Sequence, residues 1–337
     1  MRIGLIDIDS KIPNLALMKI SSYFKSVGEQ VEFVQPNTHY DKIYASAVFT
    51  RSKPLCDQLK NHYGDSIEIG GTGYDIKSTL PPEIECCKPD YDLYTAQEIA
   101  GRMKGIGTKA HKLEKAKQIV NSGMGFTSRG CVRNCGFCFV PKKEGKFRQE
   151  TPIADIINPR SNVIVMHDNN LTADPDVIDK LHEIRDRGLI VDINQGIDIR
   201  LMTPEIAQAL SEVKHLRSLH YAWDLMPFEK QVMDGVKILS EFIKPYRHMC
   251  FMLVGFNTSF EEDMYRFHRL LECKIDPYVM IYNENEKGDI RLKHFARWVN
   301  GRLYRTCSFD DYEPWKKAQE MAGQIGLWDY VGGMISN

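Results

Sequence analysis

Apolar and polar positions run along this chain with two different beats. Residues 2–7 ("RIGLID") form a short apolar run of the kind that makes a strand. Residues 13–27 space their apolar side chains three and four apart, with a proline in the first turn and Gly28 just past the end, which predicts an α-helix. The strand pattern returns in "VEFV", "KIYASAVF" and "SIEIG", the last two separated by the helix-like "KPLCDQLKNHYG". Alternation of this kind over residues 1–95 predicts a small parallel α/β sheet with helices on both faces. A ligand crevice in such a sheet lies beyond the carboxyl ends of the strands, here near residues 7–14, 50–53 and 70–74. "GGTGYD" lacks the spacing and the lysine of a phosphate loop and reads as a tight turn. "PPEIECCKPDYDLY" reads as an irregular exit from this domain, and residues 96–123 as a linker whose polar helix, "AHKLEKAKQIVNSG", is ended by glycine.

From residue 124 the beat lengthens. Strand-like segments fall at 124–128, 163–167, 190–193, 218–222, 249–254 and 278–282, with helix-like segments at 175–187, 204–212, 228–243 and 259–271. Six strands with helical crossovers over residues 124–285 predict a closed or partly closed parallel barrel, whose chemistry sits on the loops after the strands. Residues 286–337 read as a C-terminal helical extension.

Composition narrows the setting. At 337 residues and 43% hydrophobic content the chain can bury a sizeable core. Lysine and arginine total 44 against 45 acidic residues, so any charged partner is met by a local patch and not by a global field. The start, "MRIGLIDIDSK", carries an acid too early for a signal peptide, and no run approaches the roughly 18 apolar residues of a membrane span. A cytoplasmic protein with no membrane partner is expected. In that reducing setting nine cysteines are not a disulfide framework. Cys56, Cys250 and Cys273 read as small buried hydrophobes, and the adjacent Cys86 and Cys87 as structural.

The remaining cysteines of interest cluster in "RGCVRNCGFCFVPKKEG". Three residues separate Cys131 from Cys135, and two separate Cys135 from Cys138, so one short loop can wrap three thiolates around an inorganic centre. Thiolates favour zinc or iron–sulfur sites, and both normally take four protein ligands. With three, one metal position stays open to a substrate. Gly130 and Gly136 permit the tight backbone that such a loop needs.

This pattern, with the aromatic Phe137 before the last cysteine, resembles the signature loop of the radical S-adenosylmethionine superfamily. "MHDNNLTADP", "NQGIDIRL" and "HYAWD" resemble the second, third and fourth strand segments of members that carry an N-terminal cobalamin-binding-type domain. The resemblance covers nearly the whole chain. It implies a Rossmann-like, cobalamin-binding-like sheet over 1–95, followed by a partial (β/α)6 barrel over 124–285. It also implies a [4Fe-4S] cluster on Cys131, Cys135 and Cys138 that binds S-adenosylmethionine at its open iron, cleaves it reductively and releases a 5′-deoxyadenosyl radical. A reductant such as a flavodoxin or a ferredoxin would supply the electron.

For the cofactor the resemblance implies Phe137 near adenine and Asp168 and Asn170 at the methionine amino group, a reading favoured over an Asx-rich turn that caps the next helix. Arg200 could clamp a carboxylate, or pair with Asp198 at a barrel rim. Asp224 could accept ribose hydroxyls or cap a helix. Gly255 could allow close approach of the ligand or simply end a strand, and His167 reads as a packed strand residue. The loop after the first strand, "DIDSKIPNLAL", has Lys11 where cobalamin-binding domains that ligate cobalt carry histidine, so cobalamin is expected to bind weakly or not at all.

Two basic patches, "PKKEGKFRQ" and "RLKHFARWVNGRLYR", could grip nucleic acid, although Phe295, Trp298 and Val299 sit at helical spacing suited to a core. Two other classes of protein fit parts of the pattern. One is a zinc-stapled nucleic-acid-binding protein with a remote fourth ligand, and the other a non-catalytic iron–sulfur electron carrier or sensor. The substrate is not legible.

Overall fold

In a computed structural model, which describes residues 1–105, 107–282, 289–317 and 319, the first apolar runs become one parallel sheet. Its strands are β1 (Arg2–Asp7), β2 (Gln30–Phe33), β3 (Lys42–Ser46) and β4 (Ile67–Gly70), in the order β2-β1-β3-β4. Strand order therefore reverses between β1 and β3. Helix α1 (Leu15–Ser26) begins where the Asn14 side chain accepts the Leu17 amide, and Gly28 follows its end in the left-handed conformation at φ 84°. Its Leu17, Ile20 and Phe24 pack with Ile3 and Leu5 of β1 and with Ile84 of α3 (Pro82–Glu85), which follows α2 (Lys53–Tyr63). Each such buried side chain stabilises the fold by about 1.5–3 kcal/mol. The tight turn at "GGTGYD" is present: a Cβ on Gly71, at φ 96°, would lie 2.2 Å from the Ala47 carbonyl oxygen.

A second all-parallel sheet has the order β10-β9-β8-β5, from β5 (Gly123–Gly125), β8 (Val163–Met166), β9 (Ile190–Ile193) and β10 (Lys214–His215). Two helices precede it, α4 (Ala96–Arg102) and α5 (Lys109–Asn121). The strand expected over 124–128 divides. Beyond Gly125, the Thr127 amide goes to the Asp168 side chain, and the Phe126 and Thr127 carbonyls accept Thr151 and Glu150 amides. The backbone thus leaves the sheet and continues as β6 (Ser128–Arg129), antiparallel to β7 (Arg148–Gln149). Short helices α6 (Val140–Lys143) and α7 (Ile153–Ile156) and the longer α8 (Val177–Asp186) complete this region.

The chain separates into two compact units, one of residues 1–196 and 208–217, the other of 197–207 with everything from 218. One of the three points where the chain passes between them falls within α9 (Pro204–Glu212). The second unit has a three-stranded parallel sheet, β11 (Leu219–Ala222), β12 (His248–Val254) and β13 (Asp276–Ile281). With it come α10 (Glu229–Phe242), α11 (Phe260–Glu272) and α12 (Ile290–Asn300). The six strands expected after residue 124 are thus present in two parallel sheets, and the architecture is α/β. Phe267, Phe295 and Trp298 form an aromatic core, while Arg302 and Arg305 pair with Asp276. Residues 283–288, 318 and 320–337, much of the expected C-terminal extension, lie outside the described residues. Among the described residues no helix is long and apolar enough to cross a membrane.

Candidate functional site

The β6–β7 ribbon closes the loop that carries the three cysteines. Gly130, at φ 81°, starts it: a Cβ there would lie 2.2 Å from the Lys146 carbonyl oxygen, so the stem is built around the absence of a side chain. The Gly145 carbonyl accepts the Cys131 amide at 3.3 Å, and the Cys135 carbonyl accepts that of Cys138 at 3.0 Å. All three thiols are part-exposed. Cys131 Sγ accepts the Arg133 amide and Asn170 Nδ2, each at 3.4 Å, and Cys138 Sγ accepts the Val140 amide at 3.4 Å.

The "HDNN" segment after β8 fastens this loop. Asp168 is fully buried, and its carboxylate accepts the Thr127 amide at 2.8 Å, Thr127 Oγ1 at 2.6 Å and Ser128 Oγ at 2.7 Å. Burial raises its pKa above the ordinary value, against the pull of those donors. Asn169 Oδ1 accepts the Gly130 amide at 2.9 Å. Of the expected methionine-binding pair, Asn170 reaches a cysteine sulfur, whereas both Asp168 oxygens are engaged by the strand that leads into the loop. Phe137 is part-exposed on the loop itself.

Among the described residues no three His, Cys, Asp or Glu side chains converge closely enough to hold a metal ion. The donor set remains one for soft metal: three thiols of one loop, two of them already hydrogen-bond acceptors. A cubane binds its ligating sulfurs at separate irons, and three thiols of one loop are a donor set that such a cluster can take.

Arg129, the last residue of β6, is a hub that sequence reasoning missed. Its guanidinium lies 3.9 Å from the Phe126 ring and pairs with Glu85 at 2.8 Å, Glu150 at 3.2 Å and Glu144 at 3.4 Å. Glu85 comes from the first sheet's domain and Glu144 and Glu150 from the far side of the cysteine loop, and no local pattern announces them. The His167 ring lies 5.6 Å from that of Phe126, centre to centre and tilted by 48°, and burial, together with the Arg129 charge, holds its pKa down at about 4. It is neutral at physiological pH.

Arg200, Asp224 and Gly255 belong to the second unit. Arg200 binds Asp198 through two nitrogens, at 2.6 and 3.0 Å, and lies over the Phe228 ring. Asp224 accepts the Leu253 amide at 3.2 Å; burial pushes its pKa up to about 6, opposed by that bond and by Arg266 and Arg200. Gly255 has φ 79°, which favours glycine whether or not a ligand approaches.

The first unit also contains a cavity of about 810 Å³. Ser10, Ser46 and Gly70 bound it at the carboxyl ends of β1, β3 and β4, and Phe126, His167 and Gln195 at those of β5, β8 and β9. Two of the three segments expected to form a crevice, those near residues 7–14 and 70–74, contribute to its wall.

No protein-family model matches the chain, and no curated protein matches it. Among solved structures it is similar to Streptococcus suis SuiB bound to S-adenosylmethionine, at 14% identity and a TM-score of 0.36, over 60% of this chain and 52% of that one. The chain thus spans about half the length of that protein.

Proposed function

We propose that this chain is a radical S-adenosylmethionine enzyme, with a Rossmann-like, cobalamin-binding-like sheet ahead of a partial (β/α)6 barrel. The observation that carries the reading is the Cys131, Cys135 and Cys138 loop, closed at its base by an antiparallel ribbon and given N–H donors at two of its sulfurs. The three thiolates would hold a [4Fe-4S] cluster and leave one iron for the amino and carboxylate groups of S-adenosylmethionine. When bound, the cluster supplies the electron, drawn from a flavodoxin or a ferredoxin, that splits the sulfonium and yields a 5′-deoxyadenosyl radical.

The chain's own residues orient and exclude. Asn170 steadies Cys131 through its side-chain amide. Asp168 locks β6, so that the loop starts from a fixed point. Phe137 would meet adenine.

The test is anaerobic reconstitution followed by incubation with dithionite and S-adenosylmethionine. About four irons and four sulfides per chain, with 5′-deoxyadenosine on chromatography, are expected. Zinc without sulfide would favour the zinc-stapled nucleic-acid binder. A full cluster with no cleavage would favour an electron carrier, and either result would overturn the proposal.

A further inference from the structure

The 810 Å³ cavity of the first unit has the size and the mixed wall of a small-molecule site. It lies where strand order reverses between β1 and β3, the place where open α/β sheets take ligands. Its charges identify the ligand's class. Lys19 pairs with Glu85 at 2.7 Å, Arg129 with Glu85, Glu144 and Glu150, and Arg148 with Glu150 and Glu144 at 3.4 and 3.5 Å. The other wall carboxylate, Glu68, faces Lys42 at 3.8 Å. Two wall cations are left over. Lys143 donates to the Ser78 carbonyl and pairs with no carboxylate among the described residues. Lys11 has neither an ion pair nor a hydrogen bond among them; its ammonium lies 6.0 Å from the Phe49 ring.

Beside Lys11 the wall is polar and fixed. Asn14 Nδ2 donates to Ser10 Oγ at 2.9 Å and to Ser46 Oγ at 3.0 Å, while Asn14 Oδ1 is held by the Leu17 amide. Ser10 and Ser46 are 8% and 6% exposed, and each has used an acceptor site on Asn14, so each hydroxyl proton is available to an incoming acceptor. Ile12, Phe49, Leu80 and Ile84 make the neighbouring wall apolar.

We propose that this cavity binds a small organic anion. Its phosphate or carboxylate is held by Lys11, Ser10 and Ser46, with Lys143 adding charge, and its apolar body lies against Ile12, Leu80 and Ile84. If the radical reading also holds, this anion is the substrate, because the same cavity is lined by Phe126, just ahead of the cysteine loop, and by His167, just ahead of the Asn169 and Asn170 that bond to that loop. Binding itself does not depend on the cluster.

The full chain, first as cluster-free protein and then reconstituted, is titrated calorimetrically with inorganic phosphate, hexyl phosphate, hexanoate and hexanol. Hexyl phosphate or hexanoate should bind, at least tenfold more tightly than inorganic phosphate, and hexanol should not. The two anions tell a phosphate ligand from a carboxylate one. Lys11→Gln and Ser46→Ala should each weaken the better ligand about tenfold, the loss expected for one charge-assisted hydrogen bond. Lys11 is exposed, so its variant should melt with the wild type, and Lys214→Gln, on β10, should bind as the wild type does. No saturable binding of either anion, equal binding of hexanol, or unchanged affinity in Lys11→Gln would overturn the site. Anion binding by a protein that never cleaves S-adenosylmethionine would retain the site and remove only the radical reading.

Discussion

Asp168→Ala separates two roles for a residue at the end of β8, a ligand for the methionine amino group or a fastener of the cysteine loop. The buried carboxylate takes one backbone amide and two hydroxyls. Alanine strands the Thr127 N–H, at about 1–3 kcal/mol, and removes two bonds from hydroxyls at about 1 kcal/mol each. One offset reduces the sum, since loss of a buried carboxylate recovers part of the desolvation cost that raises its pKa. A net loss of about 3 kcal/mol remains, or about 1 M in the urea midpoint at a slope near 3 kcal/mol/M. The assay is urea unfolding of cluster-free protein at pH 8, followed by far-ultraviolet circular dichroism, with amide exchange over residues 126–130 as the local readout. Asp168→Asn keeps one acceptor oxygen and should lose about half as much. A midpoint shift below about 0.3 M with unchanged exchange at Thr127 would refute the fastener and return Asp168 to the cofactor.

Three other outcomes follow from the same geometry. Gly130→Ala, forced against the Lys146 carbonyl at φ 81°, should reduce iron uptake on reconstitution while far-ultraviolet dichroism stays near that of the wild type; full iron content in that variant would show that the stem does not govern the cysteines. Asp224, with a folded pKa of about 6 against an ordinary 3.8, binds its proton more tightly folded than unfolded, so its contribution to stability falls as pH rises between those values, by about 3 kcal/mol. Asp224→Asn should remove that slope and stabilise the chain above pH 6, and an unchanged slope in pH-dependent unfolding would show that the carboxyl is hydrated. Protein mixed with hydroxocobalamin and desalted should lack corrin absorption, since Lys11 is no cobalt ligand and the Asp9 carboxylate already takes the Val48 and Phe49 amides; a stoichiometric corrin would reverse this.

What the sequence discloses here depends on how local the cause is. Parallel strands are buried on both faces and read as apolar runs, so "VIVM" and "HMCFMLV" announce β8 and β12 without help from elsewhere. Helix α4 is only seven residues long, too short for periodicity to accumulate. Its one local signature was available all the same, because Thr95 and Glu98 form a reciprocal capping box. The cysteine spacing is local and legible; what holds the loop is not. A two-residue strand such as β6 has no alternation to read, and its anchor, Asp168, lies 40 and 41 residues from the donors it binds. The same holds for charge. "PKKEGKFRQ" reads as a free basic patch, yet Arg148 pairs with Glu144 and Glu150, and Lys143 turns to the Ser78 carbonyl in the cavity wall. Charge in a sequence is a sum over residues, whereas charge at a site is what remains after folding has matched partners. In the cavity wall that remainder falls on Lys143 and on Lys11, the second a residue that first drew notice for being the wrong ligand for cobalt. Its lack of a carboxylate partner among the described residues, visible only once the chain is folded, makes Lys11 the first position to mutate in the search for what the cavity binds.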